Sequence, residues 1–324
     1  MDLSYKILII DDTREIIDNY TDELQQYMEE LGFLLTVDSA ESKCEFNNRD
    51  YDYESYDMFM IDLNFGSNPD GLFFIQEIRK KCAVADILFY SSDSLSIKKQ
   101  RENKEFEGIY FAQRDDVIDE IMDKAKLLLK KAIKKSETSI GIRGLVLQNM
   151  SHCDYLVKEK IKCLHEKCDA ESGEKILNKY VGSINESNTN KFNYFLKKIG
   201  YTDKKIDFID KNNGAFVNPK CSIEELYDDY KISDSYTNFH LLKRITTKLK
   251  IDNEELESLY IYLSEVRNIL AHSKVEFHNQ VLCFRKKDGG ILIMNDEKCI
   301  EIRINLIKYI NLLKSLEFEK VANK

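Results

Sequence analysis

The sequence predicts a doubly wound α/β domain with a five-stranded parallel sheet, followed by a mostly α-helical domain with one β-hairpin. Two observations predict the first domain: its five apolar runs lack the polar–apolar alternation of half-buried strands, and segments of helical period separate them. The second domain is predicted by long stretches of 3.6-residue period that a single hairpin signal interrupts. A chain of 324 residues is long enough for two such domains.

Composition excludes several classes of protein. The chain contains two prolines and twelve glycines, which excludes a collagen-like chain or a Pro/Gly-rich disordered one. No apolar run reaches the roughly 18 residues of a membrane span, and the first residues do not resemble a signal peptide. We therefore expect a cytoplasmic protein without a membrane partner, in which the eight cysteines are reduced thiols.

Charge is distributed unevenly along the chain, whose formal net charge is −9. Residues 1–120 hold 12 Lys+Arg and 28 Asp+Glu, a net charge of −16, whereas residues 121–324 hold 36 and 29, a net charge of +7. This asymmetry predicts two modules with different partners, unless both surfaces are simply solvated. We place a first domain at residues 1–122, a basic helical linker at 123–139 and a second domain at 140–324.

Each strand of the first domain is predicted from a short apolar run. The runs cover residues 6–10, 33–37, 58–61, 87–90 and 108–111. Amphipathic helices are predicted between these runs and after the last one, where apolar residues recur three or four positions apart. These helices cover residues 16–31, 72–78 and 115–135. In such an arrangement the strands are buried on both faces and run parallel to one another.

Acidic and hydroxyl side chains follow three of these strands. Asp11 and Asp12 end the first strand, Asp62 ends the third, and Ser91 and Ser92 end the fourth. A doubly wound sheet binds its ligands at the carboxyl ends of its strands, and carboxylate oxygens are ligands for Mg²⁺. The ion would neutralise a phosphoryl group bound for Asp62, and a serine hydroxyl would hydrogen-bond one of its oxygens. The alternative is that these side chains are solvated groups at strand-to-loop boundaries.

Over residues 5–125 this pattern resembles the receiver domain of bacterial response regulators. The residues that carry the resemblance are IIDD at 9–12, MIDLN at 60–64, DG at 70–71, FYSS at 89–92 and GIYF at 108–111. The resemblance implies a flavodoxin-like strand order, with a sensor kinase or a small phosphodonor as the source of phosphoryl groups. It also implies residue roles: Asp62 accepts the phosphoryl group, Asp11, Asp12 and Asp62 bind Mg²⁺, Ser91 senses the phosphoryl group, and Tyr110 is the aromatic switch.

The sequence departs from the receiver pattern in two places. Receivers carry a lysine that pairs with the phosphoryl oxygens three residues after the aromatic position, and here this phosphoryl-sensing position is Gln113. Arg114 follows it, but on an extended strand end its side chain is expected to point to the opposite side. The loop between Asp62 and Gly71 is also one residue longer, with Gly66 where a proline is common. Two interpretations stay open: control by phosphorylation, or a receiver-like module that acts by constitutive binding or dimerisation.

Helical period dominates the second half of the chain. Helices are predicted over residues 141–164, 174–180, 191–198, 222–230, 237–249, 253–271 and 300–316, and a loop over residues 206–219. Apolar runs at 280–284 and 291–294 flank Lys-Asp-Gly-Gly at 287–290, which is a hairpin signal. The predicted hairpin therefore lies between the last two long helices.

The helix predicted over 253–271 ends on a chemically distinctive motif, Arg267-Asn268 followed by His272. The buried stripe of this helix is predicted to consist of Leu259, Leu263, Val266 and Leu270. Arg267 and His272 are five positions apart, about 140° around a helix, so a compact site requires two copies that meet across a two-fold axis. Histidine can shuttle a proton near neutral pH and arginine can stabilise charge on a phosphate, a pair suited to metal-independent RNA cleavage.

This motif in its helical setting, roughly residues 140–320, resembles the HEPN superfamily, which includes dimeric ribonucleases and inactive binding modules. The resemblance implies that Arg267 holds the phosphate, Asn268 orients the site and His272 is the general acid or base, without a cofactor in this domain. The alternative is structural: Arg267 forms an ion pair with Glu265 or with a neighbouring helix, and His272 interacts with the helix C-terminus.

The combined prediction is a receiver-regulated endoribonuclease-like effector of bacterial signalling, stress or phage defence, which cleaves RNA as a homodimer. The alternative is a non-enzymatic signalling adaptor whose helical domain docks a partner protein or dimerises under receiver control. DNA is not an expected partner, because the sequence contains no helix-turn-helix with a convincing basic recognition face.

Overall fold

A computed structural model of the chain describes residues 3–64, 71–81, 84–95, 97–98, 108–114, 120–198, 234–279, 281–286 and 288–317, without the side chains of 135, 136, 185 and 187–198. The chain forms two compact units. Unit 1 consists of Met1–Leu147 and Ile269–Ile307, and unit 2 consists of Gln148–Asn268 and Lys308–Lys324. The domain boundaries at residues 122 and 139 stay a prediction.

Unit 1 contains a five-stranded parallel sheet with the strand order β2-β1-β3-β4-β5. Its strands are β1 (Ser4–Ile10), β2 (Leu34–Ala40), β3 (Met58–Asp62), β4 (Asp86–Ser91) and β5 (Ile109–Gln113). This order confirms the prediction of a doubly wound, flavodoxin-like domain. The central strand β3 is buried along its whole length, as expected for a strand that is covered on both faces.

The helices that accompany this sheet are α1 (Arg14–Glu30), α2 (Lys43–Asn48), α3 (Gly71–Lys80) and α4 (Glu120–Ser136). α1 buries one face, which consists of Ile17, Tyr20, Leu24 and Met28 at spacings of three and four positions. α2 is too short to show a helical period in the sequence, and Ser42 caps it by accepting a hydrogen bond from the Glu45 backbone N–H. The start of the helix predicted over 115–135 lies outside the described residues.

Long helices make up most of the C-terminal part of the chain. They are α5 (Ser139–His165), α6 (Ala170–Lys198), α7 (Ser235–Lys248), α8 (Glu254–His272) and α9 (Asp296–Ser315). They confirm the helices predicted over 141–164, 237–249, 253–271 and 300–316. The loop predicted over 206–219 and the helix predicted over 222–230 lie outside the described residues.

The prediction of two short helices over 174–180 and 191–198 was wrong, because α6 is continuous through Gly182 and Ser183. These two residues favour a break in a sequence-based prediction. In the structure, the Ser183 hydroxyl donates a hydrogen bond to the Lys179 carbonyl oxygen one turn earlier (3.0 Å). The hydroxyl is therefore satisfied within the helix and does not compete with the helical backbone.

Unit 1 also contains a three-stranded antiparallel sheet of β6 (Val275–His278), β7 (Val281–Arg285) and β8 (Ile291–Met294), in that order. β7 and β8 confirm the predicted hairpin, with Leu282 opposite Met294. Gly289 in the connecting turn has φ +89°, a conformation that favours glycine. β6 was not predicted, because its four partly exposed residues contain no apolar run that marks them as a strand.

A buried arginine holds α9 against the turn between α1 and β2 in unit 1. Arg303 is only 1% exposed. Its Nε donates to the Leu31 carbonyl oxygen (2.8 Å), its Nη1 donates to Glu137 Oε1 (3.1 Å), and its guanidinium lies 4.4 Å from the centroid of the Phe33 ring. Removing a charge from water is unfavourable unless it is paired and hydrogen-bonded. This set of partners therefore specifies where α9 packs.

The core of unit 2 contains an aromatic stack and a buried polar pair on neighbouring helices. The rings of Phe239 on α7 and Tyr260 on α8 stack with their centroids 3.8 Å apart. The Tyr180 hydroxyl of α6 donates to Asn238 Oδ1 of α7, so these two buried polar groups satisfy each other. α7 begins with a capping box, in which Asp234 accepts from the Thr237 backbone N–H. The Tyr180–Asn238 hydrogen bond thus holds α6 against α7, and the aromatic stack holds α7 against α8.

Every helix in the described part of the chain is too short or too polar to span a membrane.

The contact between the α1–β2 turn and α9 predicts the effect of a substitution at Gly32. This residue has φ +73°, and a Cβ atom added to it would lie 2.8 Å from Arg303 Cβ. We expect Gly32→Ala to lower the free energy of unfolding by about 2 kcal/mol or more, because of both the backbone conformation and the overlap. Urea denaturation followed by circular dichroism measures this change.

The matched control is Gly144→Ala in α5, where an added Cβ meets nothing within 4 Å. Alanine has the higher helix propensity, so this variant is expected to be as stable as the wild type or slightly more stable. Equal free energies of unfolding for the two variants would contradict the proposed close packing at Gly32.

Candidate functional site

Three carboxylates come together at the carboxyl edge of the parallel sheet. Asp11, Asp12 and Asp62 each offer one oxygen, and these oxygens lie within 4.8 Å of one another. The ladder explains the proximity of two of them, because Ile10 on β1 pairs with Ile61 on β3, and Asp11 and Asp62 are the next residues of the two strands' chains. Asp11 and Asp62 are buried, whereas Asp12 is exposed. The cluster lies where the strand ends predicted it.

The pKa of Asp62 is raised because its carboxylate is buried beside that of Asp11. Burial is the main cause, and the neighbouring charge of Asp11 adds to it, so that the pKa rises to about 6. A hydrogen bond from the Asn64 backbone N–H to Asp62 Oδ1 (3.1 Å) opposes the shift. Burial also raises the pKa of Asp11. The negative charge of this pair is therefore unfavourable unless a cation or hydrogen-bond donors compensate for it.

Asp11 receives its hydrogen bonds from three directions. The Thr13 backbone N–H donates to its Oδ1 (2.9 Å), and the buried Tyr90 hydroxyl donates to its Oδ2 (2.8 Å). Sequence reasoning assigned no role to Tyr90, which lies within an apolar strand. A buried tyrosine needs a partner for its hydroxyl, and this requirement is the signal that could have identified it.

Arg114 is the third donor, and its predicted orientation was wrong. Its Nη2 lies 3.0 Å from Asp11 Oδ2 and 3.5 Å from Asp62 Oδ2, and its guanidinium lies 5.5 Å from the centroid of the Tyr90 ring. β5 ends at Gln113, so the alternation of a strand no longer determines the direction of the next side chain. The side chain instead extends to the buried carboxylates, and it supplies a positive charge to both.

The buried Nε of Arg114 has no hydrogen-bond partner among the described residues. Its backbone N–H donates to the Ser91 carbonyl oxygen (2.8 Å), which anchors the residue beside the end of β4. Arg114 is thus held by its backbone next to the cluster, while its Nε–H can still donate a hydrogen bond to an anion.

Ser91 belongs to the same site. Its hydroxyl is buried and accepts hydrogen bonds from Asn64 Nδ2 (2.8 Å) and from the Asp93 backbone N–H (3.1 Å). Asn64 therefore links the hydroxyl of Ser91 to the carboxylate of Asp62, because its backbone N–H and its side chain contact one each. The structure brings Ser91 to the acidic cluster, in agreement with the position predicted for it.

The backbone of Gln113 and the hydroxyl of Tyr110 have other partners. The Gln113 backbone N–H donates to Glu120 Oε2 (2.8 Å), at the start of α4. The Tyr110 hydroxyl accepts from Lys131 Nζ (2.8 Å), and its ring is partly exposed. Neither side chain has a contact with the three carboxylates among the described residues. Their predicted roles in phosphoryl sensing and switching stay predictions.

The donor set is suitable for Mg²⁺, since this ion binds carboxylate oxygens and Asp11, Asp12 and Asp62 each offer one. Arg114 competes for the same oxygens, because it already pairs with Asp11 Oδ2 and lies near Asp62 Oδ2. An ion that uses Asp11 Oδ2 as a ligand would have to displace the guanidinium from it. Asp11, Asp12 and Asp62 are the residues that would hold it.

In unit 2, Arg267 pairs with a neighbouring helix. Its Nη1 lies 3.3 Å from Asp154 Oδ2 on α5 and 3.4 Å from Ser235 Oγ, which itself donates to Asp154 Oδ2 (2.6 Å). Burial raises the pKa of Asp154, and the charge of Arg267 opposes this shift. One of the two ion-pair partners considered from the sequence, a neighbouring helix, is thus the one observed.

The other two residues of the motif are exposed. Asn268 is the last residue of the first segment of unit 2, and His272 ends α8 in unit 1. The stripe predicted for this helix is buried, as Leu259, Leu263, Val266 and Leu270 are each at most 8% exposed. The helix is therefore oriented as predicted, and the catalytic roles of Arg267, Asn268 and His272 stay predictions.

No family model and no curated protein matches the chain. Among solved structures, a response regulator receiver domain protein from Clostridium thermocellum is 21% identical over 40% of this chain and 95% of its own, with a TM-score of 0.30. A designed Rossmann 2x3 fold protein is 23% identical over 39% and 90%, with a TM-score of 0.28. A CheY-like receiver domain protein from Methanospirillum hungatei is 17% identical over 39% and 98%, with a TM-score of 0.27.

The competition at the acidic cluster predicts the effect of replacing its arginine. We expect Arg114→Gln to bind Mg²⁺ about tenfold more tightly than the wild type, because no guanidinium has to be displaced from Asp11. Isothermal titration calorimetry with MgCl₂ at pH 8 measures the affinity. Arg49→Gln is the matched control, since Arg49 pairs with Glu45 on α2 and has no described contact with the cluster. Unchanged or weaker binding in Arg114→Gln would refute the competition.

Proposed function

We propose that Asp62 accepts a phosphoryl group and that the chain is a signalling protein of the response-regulator type. The observation that carries this proposal is the position of the Asp62 carboxylate, beside Asp11 and Asp12 and connected through Asn64 to the hydroxyl of Ser91. An acceptor carboxylate, oxygen ligands for a divalent cation and a hydroxyl for the transferred group are what phosphoryl transfer to an aspartate requires.

In the proposed reaction, an oxygen of Asp62 attacks the phosphorus atom of a phosphodonor. A bond forms between that oxygen and phosphorus, while the bond from phosphorus to the donor breaks and the leaving group takes its electron pair. Mg²⁺, held by Asp11, Asp12 and Asp62, would neutralise charge on the phosphoryl oxygens. The hydroxyl of Ser91, which accepts from Asn64, would donate its hydrogen to one of these oxygens.

Arg114 is the residue that we assign to the phosphoryl group in place of the absent lysine. Its Nη2 is 3.5 Å from Asp62 Oδ2, and its buried Nε has no described partner. Guanidinium groups bind phosphate oxygens with two parallel hydrogen bonds, so a phosphoryl group on Asp62 can use both nitrogens. Gln113 occupies the position of the lysine, and in this proposal Arg114 supplies the positive charge instead.

Incubation with acetyl phosphate and Mg²⁺ tests the acceptor. We expect intact-protein mass spectrometry to detect one added phosphoryl group on the wild type and none on Asp62→Asn. Asp57→Asn is the matched control, because Asp57 lies just before the first residue of β3, at the other end of the strand from Asp62. This variant should be modified like the wild type. If the wild type remains unmodified, the constitutive interpretation of the receiver-like module replaces this one.

For the output we propose RNA cleavage by a homodimer that uses Arg267, Asn268 and His272. The support is the basic C-terminal part of the chain, with a net charge of +7 over residues 121–324, and the partial exposure of the Arg267 side chain (22%). The ion pair with Asp154 supports the competing proposal, a non-enzymatic adaptor, because it gives Arg267 a structural role. Substitution of Arg267 does not separate the two, since it also leaves the half-buried Asp154 without its partner.

His272 provides the clean test, because it is exposed at the end of α8 and its truncation leaves the core intact. If it is the general acid or base, His272→Ala should cleave RNA about 100-fold more slowly than the wild type. A fluorogenic RNA oligonucleotide measures the rate. His278→Ala, which removes another exposed histidine from β6, should cleave at the wild-type rate. Unchanged cleavage in His272→Ala, or no cleavage by the wild type, favours the adaptor.

A further inference from the structure

A cleft of about 750 Å³ lies between α6 and α7 in unit 2. Five of the side chains that line it are cations, on both helices: Lys175, Lys179, Lys243, Arg244 and Lys248. The acidic side chains in the described lining are Asp169 and Glu171, at the start of α6. The described lining therefore has a net charge of +3, and the positive charge comes from both walls.

The ion pairs of the cleft neutralise only part of this charge. Lys175 pairs with Glu171 on the exposed surface of α6, and Lys243 pairs with Glu257 of α8. Arg244 Nη2 donates to the Ser183 hydroxyl (3.0 Å), a neutral partner that leaves its charge uncompensated. Like charges that share one cleft repel each other, and an anion between them removes this repulsion.

His240 reports the same positive potential. It lines the cleft on α7, one helical turn before Lys243 and Arg244. Burial lowers the pKa of His240, and the charges of Lys243 and Arg244 lower it further. The same cations that lower this pKa would attract an external anion.

We propose that this cleft binds a small ligand that carries two or more phosphate groups. Arginine and lysine are the side chains that bind phosphate oxygens, and here they occur one helical turn apart on each wall, at Lys175 and Lys179 and at Arg244 and Lys248. One phosphate can thus contact both walls at one level of the cleft while a second does so one turn away.

The size and composition of the cleft favour a small ligand over an RNA strand. Its volume lies in the range of small-molecule sites, roughly 300–1,000 Å³. Proteins that bind single-stranded RNA stack its bases on aromatic side chains, and the described lining contains no Phe, Tyr or Trp. Asp169 and Glu171 also place negative charge at one end, which would repel a phosphate backbone that continued past it.

The test uses the full chain with sodium tripolyphosphate as the probe, in isothermal titration calorimetry and thermal denaturation. We expect binding and an increase in melting temperature for the wild type. The variant Lys179→Gln/Lys248→Gln should bind at least about tenfold more weakly, because it loses one cation from each wall. Both lysines are exposed, so circular dichroism should show the wild-type fold. Lys308→Gln/Lys314→Gln, which removes two exposed lysines from α9, is the matched control and should bind like the wild type.

A second arm distinguishes the sources of the phosphate groups. ATP that binds as tightly as tripolyphosphate supports recognition of the phosphates alone, and tighter binding of ATP supports a nucleotide ligand. The proposal is overturned if tripolyphosphate does not bind, or if it binds the Lys179→Gln/Lys248→Gln variant and the wild type equally. It is also overturned in favour of nucleic acid if a single-stranded RNA oligonucleotide binds more tightly than both probes and loses its affinity in the same variant.

Discussion

The site at the sheet edge depends on one electrostatic constraint: two carboxylates are buried side by side. Asp11 and Asp62 lie at the carboxyl ends of adjacent strands and are shielded from water, so their charges repel each other in a medium that screens them weakly. Four neighbouring groups compensate for this repulsion. Thr13 and Tyr90 donate to Asp11, the Asn64 backbone donates to Asp62, and Arg114 brings a positive charge to both. A cation that enters the site joins this balance and has to compete with the arginine already there.

A second buried charge, that of Arg303, determines where α9 packs in unit 1. Arg303 lies in α9, far along the chain from the turn after α1, yet it donates to the Leu31 carbonyl oxygen and covers the ring of Phe33. Glu137 supplies the counter-charge. An apolar residue at this position could pack at several angles, whereas a guanidinium with three defined partners can occupy few. The part of α9 that belongs to unit 1 is thereby attached to the parallel-sheet domain at the Gly32 turn.

The parts of this structure that could be predicted from the sequence are those that follow from periodicity. Runs such as 58–61 define buried parallel strands, and parallel strands bring their carboxyl ends to one edge, so the proximity of Asp11, Asp12 and Asp62 followed directly. Arg114 could not be placed in this way, since it lies one residue beyond β5 and a long side chain there follows the local charge. Arg303 reads as a surface residue in the sequence, because the periodicity of α9 does not reveal that a second element covers its polar side. The continuity of α6 was missed because Gly182 and Ser183 resemble a break.

The positive charge of the C-terminal part is used in two different ways within unit 2. Arg267, the arginine that the motif brings to notice, is largely neutralised by Asp154, which shares its charge with the Ser235 hydroxyl. Arg244 donates to the neutral Ser183 hydroxyl, and together with the lysines of the cleft it faces a volume large enough for a ligand. Arg267 already donates to Asp154, whereas a phosphate in the cleft would relieve an existing repulsion between the cations of α6 and α7. We therefore assign the proposed polyphosphate ligand to the cleft, separately from the reaction proposed for the motif.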